Sequence, residues 1–183
     1  MSAVDTDPKK IEWFFAHAVQ QVLPDGGYLK EKMLNGERIR AYLGIDPTGP
    51  SIHIGHAIAV QKLAELQAMG HEVVLLMGDF TAMIGDPTDK SAARKRLTKD
   101  QVLENLKGYK DQLSRLLKFD GPNPAQIRFN SEWLASMSFA DVVELASHFT
   151  VQQMMERDMF EKRLLGSIRC LSCGHEFSSP AGS

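Results

Sequence analysis

Apolar residues at Ile11, Phe14, Phe15, Ala18, Val19 and Val22 recur at helical spacing behind Asp7-Pro8, an N-cap followed by proline at the first helical position. Pro24-Asp25-Gly26-Gly27 ends that run. Arg38–Ile45 then reads as the first core strand, and His53–Met69 as a helix with Ala59, Val60, Leu63 and Leu66 on one face and Gly70 as its C-cap. Within Glu72–Met77 the unbroken run Val73-Val74-Leu75-Leu76 suits a strand buried on both faces of a sheet. Strand, helix and strand make one β-α-β unit, for which a right-handed crossover is expected.

Further on, Thr98 with Gln101 forms a capping box for a long helix bearing Val102, Leu106, Leu113 and Leu116. Gly121-Pro122-Asn123-Pro124 breaks the chain before Gln126–Phe129, a third strand. Two helices follow from Ser138 and Thr150, each with a polar residue three positions on, Asp141 and Gln153. This alternation predicts an α/β fold, a Rossmann-like doubly wound parallel sheet. The expected division is a helical segment at 1–37, the Rossmann-like half-domain at 38–164 and an irregular tail at 165–183, where glycine, proline and serine leave little apolar periodicity.

Composition narrows the function classes. The length of 183 residues suits one well-buried domain, and a net charge of −2 argues against a protein that coats nucleic acid. No apolar run approaches the length needed to cross a bilayer, and Met1–Lys10 is polar and acidic rather than leader-like, so the cytoplasm is the expected location, with no membrane partner. Both cysteines fall in the tail, so no disulfide framework supports the core. The G-x-G-x-x-G fingerprint is absent, which disfavours a dinucleotide dehydrogenase.

The most telling chemistry is His53-Ile54-Gly55-His56, placed at the start of the helix that follows the Gly/Pro loop 44–51. Two imidazoles three residues apart lie on one face of a first helical turn. There they can join free backbone N–H groups and the helix dipole in holding phosphate oxygens. Four letters alone fit a chance pair of surface histidines equally well. Strand, Gly/Pro loop and helix is, however, the arrangement by which open parallel sheets bind nucleotides.

In Tyr42-x-Gly44-x-Asp46-Pro47-Thr48, His53-Ile54-Gly55-His56, Gly78–Thr88, Asn130–Leu134 and Met155–Asp158, the chain resembles the class I aminoacyl-tRNA synthetases, and among them the bacterial tyrosyl type. The similarity runs from about residue 10 to about residue 164. It implies ATP-dependent activation of L-tyrosine to tyrosyl-adenylate and transfer to tRNA(Tyr), with ATP as substrate alongside Mg2+, no bound organic cofactor, and a homodimer. It also implies that Gly44, Asp46, Pro47, Thr48, His53, Gly55 and His56 bind ATP. Thr48 and His53 would contact the departing phosphates, His56 would lie near ribose and adenine, and Gly55 would leave room for the base. Lys90 and Arg94, in the basic stretch Lys90–Arg96, would close over pyrophosphate. Tyr42, Asp86 and Asn130 would form part of the tyrosine pocket: Tyr42 bonds the substrate phenol, Asp86 takes its ammonium group, and Asn130 organises the floor.

Each of these positions has a plainer reading: Thr48 as a turn hydroxyl, Asp46 and Asp86 as turn aspartates before proline, Tyr42 as a packed strand tyrosine, Asn130 as a loop amide, and the basic stretch as a solvated face. Asp89 departs from the resembled pattern, where glycine is common, and puts an acid beside Lys90. The family's second half, with the rest of the tyrosine pocket and a lysine- and serine-rich phosphate loop, has no counterpart in these residues. Activity of the 183 residues alone is therefore not expected. Cys170, Cys173 and His175 offer three metal ligands at most, short of the four of a closed zinc site, and the expectation is no metal. Three alternatives stay open. One is a non-catalytic nucleotide-binding fragment or paralogue. The second is a tryptophanyl relative, disfavoured by Asp46-Pro47-Thr48 and Tyr42. The third is a small nucleotidyltransferase.

Overall fold

The computed structural model describes residues 3–84 and 97–156, with the short strand pair at 168–169 and 176–177. These residues group into two compact units, 3–84 with 97–135, and 136–156 with the strand pair.

The first unit is built on three parallel strands in the order β1 (Arg40–Ile45), β2 (Glu72–Met77), β3 (Gln126–Phe129). Register aligns Tyr42 with Val74, Ile45 with Met77, and Met77 with Phe129, so all three carboxyl ends reach one edge. Helices α1 (Pro8–Ala16) and α2 (Gly26–Leu34) precede the sheet, and α3 (Ile54–Ala68) joins β1 to β2. A 3-10 turn at Thr81–Met83 follows β2, α4 (Lys99–Leu106) and α5 (Tyr109–Leu113) precede β3, and α6 (Ser131–Leu134) follows it.

One face of the sheet carries the core. Ile45, Val73, Leu75 and Met77 are buried there with Val60, Leu63 and Leu66 of α3, Ile11 and Phe14 of α1, Met33 of α2, and Tyr109 and Leu113 of α5. The other face is open: Tyr42 is 72% exposed, and Val74 and Leu76 are only half-buried. The expectation of a β2 buried on both faces is thus corrected. Its burial alternates along the strand, with Val73, Leu75 and Met77 buried and the residues between them only half-buried.

Several boundaries follow local chemistry. Asp7 Oδ1 accepts the Lys9 N–H at 2.9 Å, the expected cap of α1. The helix ends at Ala16 rather than near Val22, because Ala18 adopts a left-handed φ of 52° that no α-helix accommodates. The Pro24–Gly27 segment is not only a stop: Asp25 accepts from the Gly27 N–H at 2.9 Å and starts α2. The Thr98–Gln101 capping box is present, but the long helix after it is two helices broken at Lys107–Gly108. Gly70 ends α3 with a φ of 87°, and a Cβ there would press on the Ala3 carbonyl.

In the second unit, α7 (Phe139–Ser147) and α8 (Val151–Met155) start at Ser138 and Thr150 with the anticipated capping boxes, to Asp141 and Gln153. No residue of α7 is buried: Phe139 is 83% exposed and Val143 52%. Within the tail, β4 (Ile168–Arg169) pairs antiparallel with β5 (Glu176–Phe177), which corrects the expectation of a wholly irregular segment for these four residues.

Candidate functional site

Residues just past the three strand ends meet at the carboxyl edge of the sheet, where open parallel sheets bind ligands. Gly78 N donates to the Ile45 carbonyl at 2.9 Å, and Asn130 N to the Met77 carbonyl at 3.0 Å, so each strand end is tied to its neighbour. Side chains complete the junction. Thr81 Oγ1 donates to Asp46 Oδ1 at 2.7 Å, Asn130 Nδ2 donates to Thr81 Oγ1 at 2.9 Å, and Asn130 Oδ1 accepts from the Phe80 N–H at 2.9 Å. Asp79 Oδ1 accepts the Ser131 N–H at 3.0 Å.

A carboxylate from the first strand end is therefore aimed by a hydroxyl from the second, itself held by a buried amide from the third. Gly78 is required by this packing, since a Cβ would overlap Asp46 Oδ1 and Thr81 Oγ1. Both ends of the Asn130 amide are thus engaged by protein groups. Thr81 and Gly78 were not singled out from the sequence as site residues; the recurring Gly78-x-x-Thr81 spacing was the available signal.

The loop from Asp46 to Ile52 leads into α3. Thr48 is exposed, and its N–H donates to the Asp46 carbonyl at 2.8 Å, which leaves the hydroxyl free of the turn's main-chain bonding. At the start of α3 the His53 and His56 rings stack, with centroids 3.8 Å apart and planes 19° apart. His56 Nδ1 accepts the His53 N–H at 3.4 Å. Burial, and then the neighbouring His53, hold the His56 imidazole below its ordinary pKa. Near neutral pH His56 is thus uncharged, and with Nδ1 accepting, the proton assigned to the ring sits on Nε2. That N–H is a donor available beside the first turn of a fifteen-residue helix whose amino end favours anions.

A Cβ on Gly55 would lie 3.1 Å from the His53 ring, so in this structure the glycine leaves space for that imidazole. Gly44 has open space where a side chain would be. Pro47 is fully buried and anchors the loop.

On the open sheet face, Tyr42 lines a cleft of about 420 Å³ together with Arg40, Val74, Leu76, Arg128 and Trp133. Tyr42 is thus not the packed core tyrosine of the plainer reading. The structure brings Asp46, Asn130, Thr48 and the His53–His56 turn to one edge of the sheet, with Tyr42 and Gly44 on its open face. Asp86, Lys90, Arg94, Cys170, Cys173 and His175 lie outside the described residues. Among the described residues no group of three His, Cys, Asp or Glu stands close enough to hold a metal ion.

The family model of class I tRNA synthetases for tryptophan and tyrosine matches residues 34–173. A tyrosine–tRNA ligase of Carboxydothermus hydrogenoformans is 50% identical over 135 residues, which is 74% of this chain and 32% of that protein. Among solved structures, a C-terminally truncated mitochondrial tyrosyl-tRNA synthetase of Aspergillus nidulans superposes with a TM-score of 0.69 at 23% identity, over 86% of this chain and 46% of that one, and so supports the fold. A tyrosyl-tRNA synthetase of Archaeoglobus fulgidus, solved with L-tyrosine, superposes with a TM-score of 0.59 at 26% identity, covering 79% and 41%. The chain spans about a third of the length of the curated relatives it matches. By the match of the family model over most of its length, this chain belongs to the class I tRNA synthetases of the tryptophan and tyrosine family.

Proposed function

We propose that these residues form the nucleotide-binding half, and part of the tyrosine pocket, of a tyrosine–tRNA ligase. In that reaction the tyrosine carboxylate attacks the α-phosphorus of ATP, pyrophosphate leaves, and the tyrosyl group passes from the adenylate to tRNA(Tyr). The observation that carries the reading is the convergence of Asp46, Thr81 and Asn130 beside the His53–His56 turn, in a chain 50% identical to a tyrosine–tRNA ligase over 135 residues.

Negative charge redistributes over phosphate oxygens as pyrophosphate departs, so donors fixed in advance lower the barrier. The Thr48 hydroxyl, the His53 ring and the Nε2–H of His56 are such donors. Lys90 and Arg94 would add positive charge, and Gly44, Asp46, Pro47 and Gly55 would shape the nucleotide's seat. Tyr42, Asp86 and Asn130 would serve the amino acid. A magnesium ion would arrive with the phosphates of ATP and share their charge. The exposed apolar face of α7, with Phe139 and Val143, and the nearby Phe149 fit a two-fold contact between copies. A cytoplasmic location goes with this reading; no helix among the described residues is long and apolar enough to cross a membrane.

Titration calorimetry of the chain with ATP tests the assignment. Binding should weaken on His53→Ala and further on the double change with His56→Ala. Equal affinity in the parent chain and the double variant would overturn the nucleotide reading.

A further inference from the structure

The loop between Asp46 and Ile52 makes little use of its own backbone for support. Its prolines at 47 and 50 have no N–H, and the main-chain bond within it runs from Thr48 N to the Asp46 carbonyl. Support comes instead from side chains about sixty residues away. Asn105 Nδ2 donates to the Pro47 carbonyl at 2.9 Å, and Tyr109 Oη donates to the Gly49 carbonyl at 2.8 Å. Gln112 is used twice: its Nε2 donates to the Pro50 carbonyl at 3.1 Å, and its Oε1 accepts the Ile52 N–H at 3.0 Å. Four main-chain groups of one short loop are thus bonded by three side chains.

Those side chains are spaced four and three residues apart, the spacing of one helical stripe. The stripe crosses the break between α4 and α5, where Gly108 sits. A Cβ at Gly108 would come within 3.2 Å of Gln112 Nε2, so the glycine leaves room for the amide that holds Pro50. Tyr109 is 1% exposed, and its burial pushes the phenol's pKa up, keeping the hydroxyl proton it donates. Most main-chain supports in folds are other main-chain groups. A loop bonded so heavily by side chains from one helix stripe has its shape set by that stripe.

We propose that Asn105, Tyr109 and Gln112 are positioning residues that hold the 46–52 loop in its ligand-ready shape, so that Thr48 and the His53–His56 turn meet the phosphates already ordered. This rests on the nucleotide reading above. The physical gain is that the loop's ordering entropy is lost on folding rather than on binding, which raises affinity without any new contact to the ligand.

The test uses the whole chain with three variants. Tyr109→Phe keeps the buried ring and removes only the hydroxyl. Gln112→Glu keeps an acceptor for Ile52 and removes the donor to Pro50. Ser114→Ala, whose hydroxyl bonds the Asp111 carbonyl within the same helix end, is the control. Amide hydrogen exchange is followed at Thr48 and Ile52 in the loop and at Leu75 in β2, and ATP affinity by calorimetry.

The expected result for the first two variants is about fivefold to tenfold faster exchange in the loop and a similar loss of ATP affinity, the size of one hydrogen bond. Leu75 should accelerate no more than the loop, the thermal midpoint should fall by no more than the loss of one hydrogen bond allows, and Ser114→Ala should match the parent chain. Unchanged loop exchange overturns the proposal. Greater acceleration at Leu75 than in the loop overturns it too, since that marks damage beyond the loop, as does faster loop exchange with unaltered affinity. A parent chain that binds no ATP would overturn the nucleotide reading instead, and the exchange measurements would still decide whether the stripe holds the loop.

Discussion

Replacing Thr81 by valine tests the junction of the three strand ends with almost no change in side-chain shape. The hydroxyl donates to Asp46 Oδ1 at 2.7 Å and accepts from Asn130 Nδ2 at 2.9 Å, so Thr81→Val removes both bonds, along with a longer contact of 3.3 Å to the Gly78 carbonyl. A hydrogen bond to a charged group contributes about 1.5–3 kcal/mol where water is excluded, but Asp46 is exposed and water can replace the lost donor, so about 1 kcal/mol is expected from that side. Asn130 is only 7% exposed, and leaving its N–H unmet costs about 1–3 kcal/mol. The sum, about 2–4 kcal/mol, is large against the stability of a small domain. Thr81→Ser is the control: it keeps the hydroxyl and loses one methyl group, about 0.8 kcal/mol. Urea denaturation should rank the parent chain above serine and serine above valine, with an unchanged slope. ATP affinity should follow the same order, because a released Asp46 no longer holds its place in the loop. A valine variant within about 0.5 kcal/mol of the parent chain, or a serine variant as weak as valine, would refute the account; such a difference is within the range of neutral surface changes.

His71 should make stability depend on pH. The residue is wholly buried, its Nδ1 accepts the Ile39 N–H at 3.4 Å, its Nε2 has no partner among the described residues, and burial, then the nearby Arg38 charge, hold its pKa down. The unfolded chain takes up a proton near the ordinary value of about 6.5 while the folded chain resists it, so stability should fall as pH drops below that value. Urea midpoints between pH 7.5 and 5.5 check this, and His71→Gln should flatten the part of the slope that His56 does not supply. Sedimentation should show concentration-dependent dimers that weaken on Phe139→Ser; a monomer well above micromolar concentration would count against the α7 contact. Tyrosine-dependent ATP–pyrophosphate exchange should be undetectable for these 183 residues alone. Losing one transition-state donor typically costs about 10²–10³ in rate, and the chain matches only 32% of the length of the Carboxydothermus ligase.

Much of the first unit was legible without coordinates, because its signals are local. Glu72–Met77 and Gln126–Phe129 are strands with the bounds that their flanking turns imply, and α3 runs between His53 and Gly70 as its periodicity and cap require. Capping boxes at Thr98, Ser138 and Thr150 depend on residues three positions apart, and all three form. The His53–His56 pair sits at a helix start because a Gly/Pro loop forces the chain to turn there.

What needed the tertiary structure was every contact between residues far apart in the chain. The periodicity of Ile11–Val22 suggested a helix two turns longer than α1, since a left-handed Ala18 leaves no trace in apolar spacing. Val73–Leu76 suggested a strand buried twice over, but burial on the second face depends on a covering layer that no strand encodes by itself. Thr81 became a site residue only when folding brought it to Asp46, thirty-five positions away, and to Asn130, forty-nine away. Asn105, Tyr109 and Gln112 could be placed on a helix from the sequence, yet their partners, the carbonyls of Pro47, Gly49 and Pro50, carry no side-chain signature at all. Local hydrogen bonding and apolar period are written in neighbouring residues; which distant backbone group a polar side chain will satisfy is decided when the sheet and helices pack together.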